Sequence, residues 1–300
     1  MIGAWLLLAC GSGADSLWWQ DSWEVLAVGR DRAVVDARFF QTNTGLLRGQ
    51  GHVRFDRFAH REVPIFYGRD ALPRNTVIPE SAEALGALRV GPDQLVEKEG
   101  TWDLRIRSGE LDARLTLHPD DTPAPPTLQR DGWQVDAVVP SASVEGILRA
   151  GQRNSMLQGR AVILHRQGDR PPARKGTTRV AAFVMDAEFS LGIDQTGSDA
   201  LAWAWVDGRS WSTESARVRR LENGVVEMDF RPEAPILARL APVPPHHRRL
   251  LWDHLSVLEQ WVLARVTGRA ERRIRGADAE VLVGEKTLRA PALILVEDYR

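Results

Sequence analysis

Glu24-Val-Leu-Ala-Val-Gly29 and Ala33-Val-Val-Asp-Ala-Arg-Phe-Phe40, joined through Gly29-Arg30-Asp31, decide the fold class. Both runs are short and rich in β-branched and aromatic residues, and the segment between them reads as a turn, so the pair is two adjacent strands. Working outward, Gly49-Gln-Gly-His-Val-Arg-Phe-Asp56 alternates strictly. It puts His52, Arg54 and Asp56 on one face, expected to be wet, and Val53 and Phe55 on the other. Leu95–Glu99, Trp102–Ser108 and Leu111–His118 are further strands, the last two flanking a Ser108-Gly109-Glu110 turn. Residues 73–86 read as a short helical or irregular insert.

The clearest interruption is His118-Pro-Asp-Asp-Thr-Pro-Ala-Pro-Pro126. Prolines at this density cannot continue a central strand and form a stiff extended link. The strand pattern then restarts at Trp133–Val139, Ser143–Ala150, Ser155–His165, Arg179–Leu191, Leu201–Asp207, Ser215–Glu222 and Val225–Phe230. Many short strands at such spacing indicate barrels or sandwiches, not a parallel sheet. One segment differs. Pro244-Pro245 precedes His246–Thr267, where Leu250, Leu251, Leu255, Leu258, Trp261, Val262 and Val266 recur at helical spacing before Gly268. That predicts one long helix over 246–267, followed by strands at Ala279–Val283 and Leu288–Val296. The expected division is 1–17 as signal and tether, 18–118 as a first β domain, 119–130 as linker, and 131–300 as a second β domain carrying the helix.

Composition narrows the function classes. Three hundred residues suffice for a buried core without staples. Cys10 is the only cysteine, so no intramolecular disulfide forms. The formal charge is −1 with acidic and basic residues interspersed, which gives no electrostatic footprint for nucleic acid. No apolar run reaches the roughly 18–20 residues of a spanning helix. No Gly-x-Ser-x-Gly, phosphate loop, Cys/His metal cluster or dinucleotide fingerprint occurs, so hydrolase, nucleotide and metal readings lack motif support, and no cofactor is expected.

The chain begins MIGAWLLLAC, an apolar stretch ending at Cys10, followed by Gly11-Ser-Gly-Ala14. Leu7-Leu8-Ala9-Cys10 resembles the bacterial lipobox, whose cysteine thiol receives a diacylglyceryl group. The resemblance implies lipidation at Cys10, a flexible tether behind it, and membrane attachment through the acyl chains. The positive n-region of a secretory signal is missing before the apolar run, and Leu8 is bulky for its place. The expected location is the cell envelope, at the outer membrane if the host has one.

Val139-Pro140-Ser-Ala-Ser-Val144-Glu-Gly146-Ile-Leu148 and Gly159-Arg-Ala-Val-Ile-Leu-His165-Arg-Gln-Gly168 carry a second resemblance. They are similar to the segments that open the second half of the two-domain lipocalin-like family, which includes carotenoid 1,2-hydratases, AttH-type proteins, survival-factor-like proteins and fungal Diels–Alderases. The family signature runs G-x-G-Y-x-D-H-x-W-G. Here Gly159, His165 and Gly168 match, whereas Ala161, Val162, Leu164 and Gln167 replace the second Gly, the Tyr, the Asp and the Trp. The resemblance implies two lipocalin-like antiparallel β-barrels, to which the helical pattern adds one long helix near the C-terminus. Alkene hydration needs an acid, π-faces or carboxylates for a carbocation, and a base for water. A His–Asp pair beside an aromatic would supply these, and with the motif's Asp replaced the constellation is incomplete.

His165 is therefore the one candidate for acid–base work, against the alternative of a core histidine held by a carbonyl. Trp203 and Trp205 lie two apart with Asp207, on one face of a strand. They read either as an aromatic wall of a ligand cavity, together with Trp133, or as core between the halves. Asp186 and Glu188 share a strand face, expected to be solvated. His246, His247 and His254 lack the i,i+4 spacing of a metal pair. The leading expectation is an envelope lipoprotein that binds or shields a small apolar ligand, a lipid or isoprenoid. The alternatives are an enzyme acting on an apolar polyene and a packed structural module. A cavity of roughly 300 Å³ or more would count against the last.

Overall fold

The computed structural model describes residues 18–44, 47–59, 62–78, 87–130, 132–169, 176–251, 257, 260–261, 264–265 and 270–300. The strands of the first half are β1 (Trp18–Gly29), β2 (Val34–Thr44), β3 (Leu47–Phe58), β4 (Ile65–Ala71), β5 (Thr76–Val77), β6 (Ala87–Val90), β7 (Asp93–Lys98), β8 (Thr101–Arg107), β9 (Leu111–Pro119), β10 (Leu128–Arg130), β11 (Trp133–Ala150) and β12 (Arg153–Gly168). They form one curled antiparallel sheet in the order β4-β3-β2-β1-β12-β11-β9-β8-β7-β6-β5, with β10 added on β11. A single apolar cluster fills its interior, drawing Trp23 and Val25 from β1, Phe39 from β2, Phe55 from β3, Val90 from β6, Leu104 from β8, Leu115 from β9 and Ile163 from β12.

The remaining strands are β13 (Thr178–Met185), β14 (Phe189–Thr196), β15 (Asp199–Val206), β16 (Arg209–Thr213), β17 (Arg217–Arg220), β18 (Val226–Asp229), β19 (Ile236–Leu250), β20 (Ala270–Val283) and β21 (Lys286–Tyr299). Their order is β16-β15-β14-β13-β21-β20-β19-β18-β17. This second antiparallel sheet curls into a half-barrel around its own cluster, which includes Phe189, Ile193, Met228, Phe230 and Ile294.

A third cluster joins the two sheets back to back. Leu26, Val28, Val162 and Leu164 on the outer face of the first meet Phe183, Trp203, Ile274, Leu293 and Leu295 of the second. The strands at this seam are buried on both faces, and that is why Glu24–Gly29 reads as a near-continuous apolar run.

The structure departs from the expected domain division and from the expected helix. The sheets do not divide at the Pro-rich segment. After it the chain returns to the first sheet, pairing Ala142–Ala150 of β11 with Leu111–Pro119 of β9, and β12 then pairs with β1 along Gln20–Gly29. The change of sheet falls at 169–177. Proline ends a strand locally, but it does not decide where the next strand pairs. Nor is a long helix over 246–267 supported. His246–Leu250 continues β19, in register with Glu271–Arg275 of β20, past an irregularity between Pro242 and His246. Most of 251–267 lies outside the described residues; of the described ones, 257, 260–261 and 264–265 have helical backbone. The helical spacing began on residues that the neighbouring strand claims.

His52, Arg54 and Asp56 are buried, not wet. His52 Nδ1 and Arg54 Nη2 both reach Asp70 Oδ1 at 2.8 Å, and Arg249 of β19 pairs with Asp56. Asp186 and Glu188 sit in the turn between β13 and β14 instead of on a strand.

Candidate functional site

His165 lies near the end of β12, its side chain on the same face as Ala161 and Ile163 and so inside the first barrel. Its neighbours across the ladders are Trp23 on β1 and Asp136 on β11. The imidazole is fully buried, and both ring nitrogens face carboxylates. Nε2 is 3.1 Å from Asp21 Oδ1 and Nδ1 is 3.4 Å from Asp136 Oδ2. The Trp23 ring stacks on it at 4.5 Å, and Trp102 of β8 lies 5.9 Å beyond Trp23. The centre thus combines a histidine, two carboxylates and two indoles, within an otherwise apolar interior.

The two carboxylates differ in setting. Burial pushes Asp21 above the usual carboxylate range, against the opposing pull of His165 and the nearby Trp23 indole. Asp21 Oδ2 makes no hydrogen bond among the described residues. For Asp136, burial is outweighed by the His165 imidazole 3.4 Å away and by hydrogen bonds from Thr127 and Gln134, and its carboxyl is held low. Asp136 is also the member that reaches the surface, its side chain 12% exposed. For His165, burial pulls the imidazole down, but Asp136 and Asp21 outweigh it and lift the ring to about 9. Environments that push two carboxylates apart around one histidine allow an acid and a base in the same centre.

Asp21, Asp136, Trp23 and Trp102 were not singled out in the sequence. The visible signal was a lone carboxylate inside an apolar strand, Val135-Asp136-Ala137, and another just before the first one, Asp21-Ser22-Trp23. The irregular register of β11 between Ala137 and Ala142, at Pro140, sets its Asp136-bearing end apart from the part paired with β9.

The other expected ligand residues do not join this centre. Trp203 is buried in the layer between the sheets, on the outer side of the half-barrel, while Ala202 and Ala204 line the interior. Trp205 is half-buried on the same strand face. Trp133 lies under the Arg166 guanidinium, 5.4 Å from its centroid. Trp133 and Trp203 share a structural role: each stands directly across from a glycine, Gly168 and Gly192. A Cβ on those glycines would fall 2.4 and 2.1 Å from the indoles, so each ring covers a bare stretch of the adjacent strand. Cys10 lies outside the described residues.

Behind the His165 centre, the seam holds a buried ion network. Arg179 bonds Asp194 at 2.9 and 2.7 Å and Glu24 at 3.2 and 3.1 Å, and reaches Glu297 at 3.2 Å. Arg272 forks onto Asp36 at 2.9 and 3.0 Å and pairs with Glu297. Despite burial, the two guanidiniums hold Glu24 well below its usual range and Glu297 at about 2.

At the far end of the first barrel lies an open cleft of about 1020 Å³, lined by Arg57, Ile65, Phe66, Leu148, Asn154 and Ser155 among others. Ser155 and His165 are ten residues apart on β12, about 33 Å along a strand. The cleft and the acid–base centre are therefore separate.

Two antiparallel sheets, a barrel and a half-barrel packed back to back, define the two-barrel lipocalin-like fold. Solved structures of that fold match nearly the whole chain. CghA in complex with Sch210972 superposes with a TM-score of 0.67 at 9% identity, over 94% of this chain and 89% of that one. An AttH candidate from Nitrosomonas europaea gives 0.62 at 10% identity, covering 97% and 95%. Kievitone hydratase from Nectria haematococca gives 0.55 at 10%, covering 95% and 90%. At such identities the likeness establishes the fold alone. No family model matches the chain, and no curated protein matches its sequence.

Proposed function

We propose that the protein is an acid–base catalyst for a small, mainly apolar, unsaturated ligand admitted to the first barrel. The observation that carries this reading is His165 with its two ring nitrogens facing Asp21 and Asp136, bonded to the first and 3.4 Å from the second, under the face of Trp23. The ligand approaches past Asp136, the partly exposed member. The Asp21–His165 pair gives a proton to an alkene carbon, and the positive charge that develops faces the Trp23 and Trp102 rings. Asp136, kept ionised, takes a proton either from an attacking water or from the adjacent carbon. The first course is hydration and the second isomerisation. In both, the proton gained at Asp136 returns through His165 to restore the pair. Kievitone hydratase, a hydratase by name, shares the fold.

A second reading, binding without turnover, is favoured by the open cleft. Its volume exceeds what a fully packed structural module would leave, and its mixed lining of Arg57, Asn154, Ile65 and Phe66 suits an amphiphile. Attachment to the envelope through Cys10 belongs to either reading and rests on the lipobox resemblance. Acyl mass on the wild type and not on Cys10→Ala is its test.

The two readings separate on ligand extracted from protein purified from its own host, the wild type beside His165→Gln. Catalysis predicts a ligand together with a hydrated or isomeric product from the wild type, and unreacted ligand alone from the variant. The same single molecule in both preparations would leave binding and remove catalysis.

A further inference from the structure

The mouth of the second half-barrel carries more positive charge than its own carboxylates neutralise. A small cavity of about 50 Å³ lies there, enclosed by Arg220 of β17, Arg273 and Arg275 of β20, and the apolar side chains of Val226, Ile294 and Val296. Those three apolar residues belong to the half-barrel core, so the cavity opens onto the interior and not onto the outer face. Two carboxylates serve this end. Glu271 takes Arg248 and also Arg273 at 2.5 Å, while Asp298 takes Arg273 at 2.6 Å and both Arg220 and Arg300 at 3.7 Å. Glu222, exposed in the turn beside the site, forms no ion pair among the described residues. Four guanidiniums therefore share two carboxylates, and a fifth, Arg275, has neither.

Arg275 is the one left over. It makes no ion pair or hydrogen bond among the described residues, and burial followed by the charges of Arg273 and Arg220 pushes its guanidinium below the usual range. Gly224 has φ of +77°, and a Cβ there would lie 2.8 Å from Arg275 Nη1, so the glycine leaves the space that the guanidinium occupies. Bringing like charges together over an apolar floor is costly unless something of opposite sign completes the site.

We propose that this mouth binds a small tetrahedral oxyanion of the phosphate type, either free or as a monoester head group. Guanidiniums present planar forks of N–H donors, and three of them converging suit an anion with more acceptor oxygens than a carboxylate has. The cavity would hold a few waters or one such anion, since a single water needs roughly 10–15 Å³ on the same measure. The site is independent of the His165 centre and stands or falls without it.

The test is calorimetric titration of the full chain with inorganic phosphate and with glycerol phosphate, and co-sedimentation with phosphatidylcholine vesicles containing phosphatidic acid. Each is repeated on Arg275→Met and on Arg220→Met, with Arg289→Met as a surface control. Arg220 is 43% exposed, so its replacement keeps the test alive if Arg275→Met fails to fold. The expected result is binding by the wild type and the control, weakened about tenfold or more in either site variant. Binding of the soluble phosphates identifies a free anion or soluble ester, and binding of the vesicles alone identifies a lipid head group. No binding of any of the three, or binding unchanged in both site variants, overturns the proposal.

Discussion

At the scale of single residues, His165 stands apart, a buried imidazole facing two carboxylates. With a folded-state pKa of about 9 against an ordinary 6.5, its imidazolium contributes stability that is fully present below pH 6.5. That contribution is lost as pH rises through about 9. Urea unfolding at pH 6 and pH 10 should show a fall of a few kcal/mol in the wild type, on the order of 3, and a much smaller one in His165→Gln. A pH-independent wild type would contradict the clamp. Asp136→Asn removes one of the two anions, so the His165 titration followed by imidazole NMR should move down by about a unit or more. An unmoved midpoint would place Asp136 outside the centre. His165 was legible as a candidate because it sits in a recognisable signature. Its partners were not, because the local Asp of that signature is replaced by Leu164. The carboxylates come instead from strands about 144 and 29 positions away in the chain, brought together by non-local pairing.

At the scale of elements, strand type was easy to read and many strand boundaries nearly so, although Arg179–Leu191 spans β13, a turn and the start of β14. Alternation and turn residues marked β2, β3 and β7 to β9 within a few positions, and the end but not the start of β1. Strand pairing was not legible, because alternation says which face a side chain takes and nothing about which strand lies beside it. The Pro-rich segment looked like a domain boundary for that reason. The 246–267 pattern misled for another: apolar residues at helical spacing overlap the end of β19, where the ladder to β20 prevails over local periodicity. One glycine of the signature has a clear structural reason. A Cβ on Gly159 would lie 2.0 Å from the Val28 carbonyl oxygen, so only glycine lets β12 and β1 approach as they do. Gly159→Ala should lower stability by about 1–3 kcal/mol, read as a lower urea midpoint. An unchanged midpoint would mean that the two strands have room to spare.

At the scale of the whole molecule, the two sheets are joined by an apolar layer with a network of charges inside it. Arg272 touches Asp36 and Glu24 of the first sheet and Glu297 of the second, so it spans the seam. Arg272→Met would take from Asp36 its bidentate partner and leave Glu24 and Glu297 to Arg179 alone, and should cost about 3–5 kcal/mol. The fall in Tm should persist at high salt, because the network is shielded from screening. Loss of less than about 1 kcal/mol, the range of surface pairs, would show that the network does not hold the sheets together. The network also fixes β1 from behind through Glu24, so the strand that carries Asp21 and Trp23 is held at both faces. Buried arginines and glutamates of this kind were unreadable in the sequence, where Arg and Glu on alternating strands look like a wet face.

On the proposed reading, His165, Asp21 and Asp136 move protons to and from carbon. The most direct measurement is deuterium uptake in heavy water by the apolar ligand extracted from the host protein, read by mass spectrometry. The wild type should place solvent deuterium on a ligand carbon, with His165→Gln and Asp21→Asn both slower by about a hundredfold or more while remaining folded. Equal uptake in wild type and variants, or none in the wild type, would contradict it.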